Sequence, residues 1–393
     1  MQNLTWLNLL KLKASFGQQG NDAIGNYYAY LDQYSMVGDA SGFSDGTLAY
    51  KGNPDLTWET QTSFNVGFDF SMFSNKFTGS VEYFSRKSSD MLYYKPVAGS
   101  LGYTQIPMNV GSLTNSGFEF DLNYNIFDSK NLSWDVYLNA TFIKNKINEL
   151  HPDLNGKLVD GTTIYEEGES MYRLLLPEWA GVDPDNGDAL WYYNVEDENG
   201  NVTREKTNDY TVAQQTSNRI VTDDLLPTVY GGFGTTFRAY GFDLSIQASY
   251  QLGGTIYDSG YAYLMHACSG KANDAGTNWH KDIRNAWTTP GQITDVPRLN
   301  SLSNNGYYVN ATSTRFLTSS DYLSLNNVTI GYTLPSNLVR KLGLTKLRVY
   351  FAGDNLALLS ARKGLDPRQG YTSATAATYS AIRTLSGGVS IAF

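Results

Sequence analysis

The segment GFDLSIQASYQL, residues 241–252, alternates apolar and polar residues without interruption. Phe242, Leu244, Ile246, Ala248, Tyr250 and Leu252 stand against Asp243, Ser245, Gln247, Ser249 and Gln251. Wound as a helix, these polar residues would lie all around the axis. Extended as a strand, the same residues separate into one apolar face and one wet face. The pattern recurs along the chain. It is carried by Leu10, Leu12, Ala14 and Phe16; by Phe64, Val66, Phe68 and Phe70; and by Phe77, Gly79, Val81 and Tyr83. Next come Phe118, Phe120, Leu122, Tyr124 and Ile126, then Leu132, Trp134, Val136, Leu138, Ala140 and Phe142, and then Val229, Gly231, Phe233 and Phe237. Beyond residue 252, Leu323 and Leu325 change phase to Val328, Ile330 and Tyr332, so Asn326-Asn327 is read as a β-bulge. Leu347, Val349 and Phe351, then Leu385, Val389, Ile391 and Phe393, complete a series of about ten strands.

The connections alternate between long and short. Long ones cover approximately 18–57, 87–116, 145–228, 253–320 and 359–381; short ones lie near Ser71–Asn75, Asp128–Asn131, Tyr240-Gly241 and Pro335–Thr345. Outer-membrane barrels have this asymmetry, with tight periplasmic turns and long extracellular loops. A soluble β-sandwich adhesin, an alternative reading, has no reason to place every long loop at one end. The expected fold is therefore all-β, an antiparallel transmembrane β-barrel of the outer membrane, bathed by lipid and lipopolysaccharide. The last strand descends from a long connection and brings Phe393 to the periplasmic side. Its Leu385, Val389, Ile391 and Phe393 resemble the carboxy-terminal signal read by the barrel-assembly machinery through strand addition.

Composition narrows the alternatives. Only 17% of residues are charged, while 29 Tyr, 18 Phe and 7 Trp occupy much of the remaining space, and aromatics near strand ends fit interfacial girdles. No apolar run approaches the ~20 residues of a membrane-spanning helix. The net charge of −9 and the lack of a basic stripe argue against nucleic acid as a partner. Cys268 has no partner for an internal disulfide, and His151, His266 and His280 show no ligand-like spacing, so no metal or cofactor is expected. The opening residues QNLTWLNLLKLKASFG carry no secretion signal, which leads to the expectation that the chain is the C-terminal part of a longer protein.

Several segments resemble the SusC/RagA class of TonB-dependent outer-membrane transporters. They are LKLKASFGQQGN (Leu10–Asn21), NPDLTWETQTSFNVGFDF (Asn53–Phe70), NVGSLTNSGFEFDLNYNI (Asn109–Ile126) and EWAGVDPDNGDALWY (Glu178–Tyr192). Further on come YLSLNNVTIGYTLP (Tyr322–Pro335), LRVYFAGDNLALLS (Leu347–Ser360), GLDPR (Gly364–Arg368) and the terminal RTLSGGVSIAF. The resemblance implies a plugged barrel of about 22 strands, of which residues 1–393 supply about the last ten. It also implies import of oligosaccharides or peptides under a SusD-like lid lipoprotein, with energy from the TonB complex acting through a plug. The plug domain, the TonB box and the signal peptide are expected to lie outside this sequence.

Within the long connections, Asp183–Tyr193 faintly echoes a calcium loop, but Gly187 stands one place early for that pattern. Asn186-Gly187 and Asn199-Gly200 read instead as the turns of two β-hairpins. Trp179, Trp191, Tyr192, Tyr193, Trp279 and Trp287 are candidates for stacking on a substrate or meeting the lid; the alternative is that they pack the loops together. Asp69, Glu119, Asp121, Asp243 and Gln247 would face the lumen, against substrate, plug or solvent. A self-contained barrel hydrolase is the competing functional class. It would need a catalytic set at the rim, for which the sequence offers few histidines and no G-x-S-x-G elbow.

Overall fold

The computed structural model describes residues 4–38, 42, 44–267, 278–300, 304–370, 373–374 and 379–393. Cys268 lies outside them. Ten long strands form one sheet in chain order. They are β1 (Leu7–Asn21), β2 (Glu59–Met72), β3 (Phe77–Ser89), β4 (Gly111–Ser129), β5 (Leu132–Leu150), β6 (Val229–Ala239), β7 (Phe242–Leu252), β8 (Tyr322–Thr333), β9 (Lys346–Ser360) and β10 (Thr384–Ala392). The sheet is antiparallel. Contacts divide the chain into two compact units. One is Met1–Tyr124 with Asn139–Met171, and the other is Asn125–Leu138 with Tyr172–Phe393.

In the first unit the register aligns like with like. Leu12 faces Phe68, which faces Val81, which faces Phe120; Phe16, Phe64 and Val66 extend the same face. Leu12 and Phe16 are 78% and 70% exposed. A contiguous apolar face of this kind is unfavourable in water by roughly 25 cal/mol per Å² and favourable against hydrocarbon chains. The opposite face is polar and cross-linked. Lys13 pairs with Gly67 on β2, and Gly67 with Glu82 on β3. The Lys13 ammonium reaches across that glycine to Glu82 at 3.1 Å while also meeting Asp69 at 2.9 Å. Glu119 and Asp121 are exposed on the same polar face.

The second unit repeats the arrangement. Phe242, Tyr332 and Val349 align across β7, β8 and β9, and Leu244, Ile330 and Phe351 align beside them. Val349 continues to Val389, and Leu347 to Ile391, on β10. Tyr240 and Gly241 both have positive φ, 49° and 94°, the type I′ geometry that suits a tight hairpin. The bulge expected at Asn326-Asn327 is present, for Gln247 pairs with Asn327 and Ala248 with Leu325, skipping Asn326. A second irregularity on β9 leaves Asn355 at φ 51°. Aromatic rings cluster near the short turns: Phe127 with Trp134 at 6.0 Å, Trp134 with Phe237 at 6.4 Å, and Phe242 with Tyr332 at 4.5 Å.

The strands outlast their apolar alternation on the side of the long connections. β3 continues to Ser89, β5 to Leu150, and β4 begins at Gly111, well before Phe118. Hydrogen-bonded backbone needs no lipid-facing side chains, so a ladder can run beyond the apolar band.

Candidate functional site

The second unit carries a folded cap built from the 172–228 and 253–321 segments. Its centre is a three-stranded antiparallel sheet of Trp179–Val182, Ala189–Glu196 and Val202–Thr207. Both asparagine-glycine turns fall where expected. In the first, the Gly187 amide donates to the Asp183 carbonyl and the Asp185 amide to the Asp183 carboxylate, at 2.8 and 2.9 Å. Gly187 has φ 76°, and a Cβ there would meet the Trp287 ring at 2.4 Å. The indole therefore lies on the turn itself, with its Nε1 donating to the Pro184 carbonyl at 3.0 Å.

Trp191 is only 1% exposed and is the hub of the cap. Trp179 and Tyr210 meet it edge-on at 5.8 and 5.2 Å, and Tyr308 stacks on Tyr210 at 5.0 Å. Ala189, Ala213, Ala267 and Val309 close this core. Among the six aromatic candidates, Trp191 is thus corrected to a packing residue, since its side chain has no surface to present to a ligand. Trp179 is half-buried beside it. Tyr192 carries Arg204 and Lys206 over its ring, each at 5.7 Å, and the Tyr193 hydroxyl donates to Glu205 at 3.3 Å. Trp279 is 46% exposed and donates to His266 Nδ1 at 3.3 Å. The six rings do not form one continuous platform.

Polar groups lock the cap. The Asn305 side chain takes the Ala189 amide and donates to the Ala189 carbonyl, both at 2.9 Å, and donates to the Asn208 carbonyl at 2.7 Å. It thereby satisfies the Ala189 backbone as a neighbouring strand would. Asp188 accepts from Arg298 Nε at 3.0 Å. Arg315 is held between the Trp179 and Phe316 rings, 4.8 and 5.1 Å away, and donates to the Val309 and Asp295 carbonyls. Burial pushes its guanidinium down to about 10, so it stays charged at neutral pH. Nothing in the local sequence marked this arginine, because the Trp179 ring and the Asp295 carbonyl that help to hold it are distant along the chain.

Beside the cap, the 361–370 segment bounds a cleft of about 390 Å³ lined by Tyr261, Tyr263, His280, Lys363 and Gln369. Arg362 donates from Nε to Asp258 at 3.0 Å and lies over Tyr261 at 4.5 Å. His280 Nδ1 is 3.2 Å from Asp282, and the Tyr261 hydroxyl donates to the same carboxylate at 3.1 Å. Burial first, then Asp282, pushes the Tyr261 hydroxyl up to about 12. His280 is thus engaged by Asp282, Tyr261 and Arg362, while His266 is fully buried. Asp366 forms a two-pronged pair with Arg368 at 2.7 Å, and Arg368 also donates to Ser324 of β8 at 2.9 Å. Burial opposes ionisation of Asp366, yet hydrogen bonds from Arg368 outweigh it and hold the carboxyl below its ordinary value.

On the polar face of β6–β9, a hollow of about 1020 Å³ near the short turns is lined by Lys130, Arg238, Asp243, Gln247, Lys346 and Arg348. Arg348 Nε reaches Asp243 at 2.9 Å, passing over Gly331 of the intervening strand. A Cβ at Gly331 would meet both partners, at 2.5 and 2.7 Å.

A wall with one apolar and one polar face, tight turns at one end and a folded loop cap define an outer-membrane β-barrel wall. Comparison with known proteins gives the family. Residues 3–216 match the family described as TonB dependent receptor-like, beta-barrel, and the chain belongs to that family of outer-membrane barrels. It is 28% identical over 394 residues to TonB-dependent receptor P3 of Formosa agariphila, covering 93% of this chain and 36% of the relative. To TonB-dependent receptor SusC of Bacteroides thetaiotaomicron it is 26% identical, covering 93% of this chain and 36% of SusC. The RagAB peptide transporter structure superposes on all of this chain with a TM-score of 0.80 at 28% identity, over 42% of the transporter chain. The chain therefore spans between a third and a half of the length of these relatives.

Proposed function

We propose that the chain forms about the last ten strands and the loop cap of a TonB-dependent importer of oligosaccharides or peptides. The observation that carries this reading is the ten-strand wall, apolar on one face and ion-paired on the other, joined to a cap with its own core. Likeness to SusC and to a peptide transporter supports it. In the whole protein, a plug outside these residues couples the TonB complex to opening, and a SusD-like surface lipoprotein closes over the cap. Trp179, Tyr192, Tyr193, Trp279 and Trp287 keep partial exposure and are the cap residues we assign to substrate or lid contact. Leu385, Val389 and Ile391 project on the apolar face of β10, and with Phe393 we assign them to recognition by the barrel-assembly machinery.

Deleting the full-length gene and growing the strain on a casein digest or on defined oligosaccharides tests the reading. Loss of growth on one of these classes, restored by the gene in trans, is expected. Equal growth on all of them, with no binding of any by the purified protein and its lipoprotein, would overturn it.

A further inference from the structure

At the long-connection end of the first unit, the wall contains an apolar cavity of about 200 Å³. Leu113 from the start of β4 and Ile147 and Leu150 from the end of β5 line it, exposed by 8, 2 and 8%. Met91, Tyr93 and Met171 also line it, together with Glu59 and with Leu158 and Tyr165 of the following connection. Residue parity places Leu113 and Ile147 on the face away from lipid. The apolar face takes even-numbered residues, Phe118, Phe120 and Leu122 on β4 and Ala140 and Phe142 on β5. Leu113 and Ile147 are odd, on the polar side with Asn115 and Asn145, whose side chains hydrogen-bond at 2.8 Å. Lipid therefore does not account for Leu113 and Ile147, while Leu150, the last residue of β5, has the opposite parity and is 8% exposed.

The rim residues are fixed by their own contacts. The Tyr93 hydroxyl donates to Asp160 at 2.6 Å, its ring meets Tyr165 edge-on at 6.4 Å, and Met91 exchanges backbone hydrogen bonds with Val110 and Gly111. An apolar cavity of about 150 Å³ stays dry and takes up benzene. The cavity here is somewhat larger, and its two methionines can adapt to different shapes. The polar groups in its lining are Glu59 and the phenols of Tyr93 and Tyr165, and Tyr93 is already engaged by Asp160, so most hydroxyls of a sugar ring placed in it would lack partners, at a cost of roughly 1–3 kcal/mol each.

We infer that this cavity is a subsite for one apolar side chain of phenyl or leucyl size, so that the molecule taken up is a peptide rather than a glycan. This narrowing rests on the importer reading; the existence of the subsite does not. The test uses the full-length protein in lipid nanodiscs, free of detergent whose alkyl chains would compete, with ¹³C-methyl methionine as the reporter. Met91→Leu and Met171→Leu assign the two signals. At equal millimolar concentration, N-acetylphenylalanine amide is expected to move both signals, whereas N-acetylserine amide and maltotriose leave them in place. Met171→Trp, which fills the rim, is expected to abolish the response at Met91; Ile147→Ala, which enlarges the cavity, is expected to extend the response to N-acetyltryptophan amide. Equal movement with maltotriose, or no movement with any probe, overturns the subsite even if peptide uptake is found. Movement by the phenylalanine probe alone in a protein that imports neither class would instead retain the subsite and refute the importer reading.

Discussion

Within the second unit, wall and cap solve the same problem by different means. The wall strands β6–β10 are held by continuous ladders, and their apolar side chains remain exposed, Ile330 by 51% and Val389 by 60%. Lipid supplies the burial that a protein core otherwise provides. The cap has short strands and encloses its own core around Trp191. It is packed in the manner of a small water-soluble domain, around a few side chains. The contrast implies that single substitutions should be severe in the cap and mild in the wall.

The largest effect is expected from Trp191→Ala, which removes the ring joining Trp179 and Tyr210 and leaves a cavity worth roughly 3–5 kcal/mol. Hydrogen exchange should rise over 179–213 and stay unchanged over 229–252; equal acceleration in both would erase the distinction between wall and cap. Next is Asn305→Ala, which strands the Ala189 amide and carbonyl at about 1–3 kcal/mol and should loosen the same segment to a smaller extent. Acidification should act through Asp366. Its carboxyl is held below the ordinary value by Arg368, so its contribution is complete at neutral pH and is lost as pH falls through the depressed value. Exchange over 361–370 should then rise at low pH, and Asp366→Asn should remove the pH dependence. The mildest is Gly331→Ala in the wall. The new Cβ displaces the flexible end of Arg348 while the ladders on both sides persist, at a cost below about 1 kcal/mol. The urea midpoint of unfolding should move only slightly.

This contrast also sets how much was legible in the sequence. The ten wall strands, their order and the bulge at Asn326 were readable because a strand between lipid and water writes its two environments into alternate residues. The turns at Asn186-Gly187 and Asn199-Gly200 were readable because positive φ demands particular residues. The glycine crossings at Gly67 and Gly331 depend on the register of three strands, which no local pattern encodes. Trp191 and Trp279 look alike as loop tryptophans, yet one is buried and the other 46% exposed, because the contacts that decide this come from residues as distant as Tyr308 and His266. Arg315 was invisible for the same reason.

The central claim is that the wall presents one face to lipid and the other to water. Single cysteines placed at each position from Phe242 to Leu252 of the full-length protein, with Cys268 replaced by serine, can carry nitroxide labels in reconstituted membranes. Accessibility to oxygen should peak at 242, 244, 246, 248 and 250, and accessibility to a water-soluble nickel chelate at 243, 245, 247, 249 and 251, out of phase by one residue. Accessibility without that alternation, or peaks for both reagents on the same residues, would contradict the account.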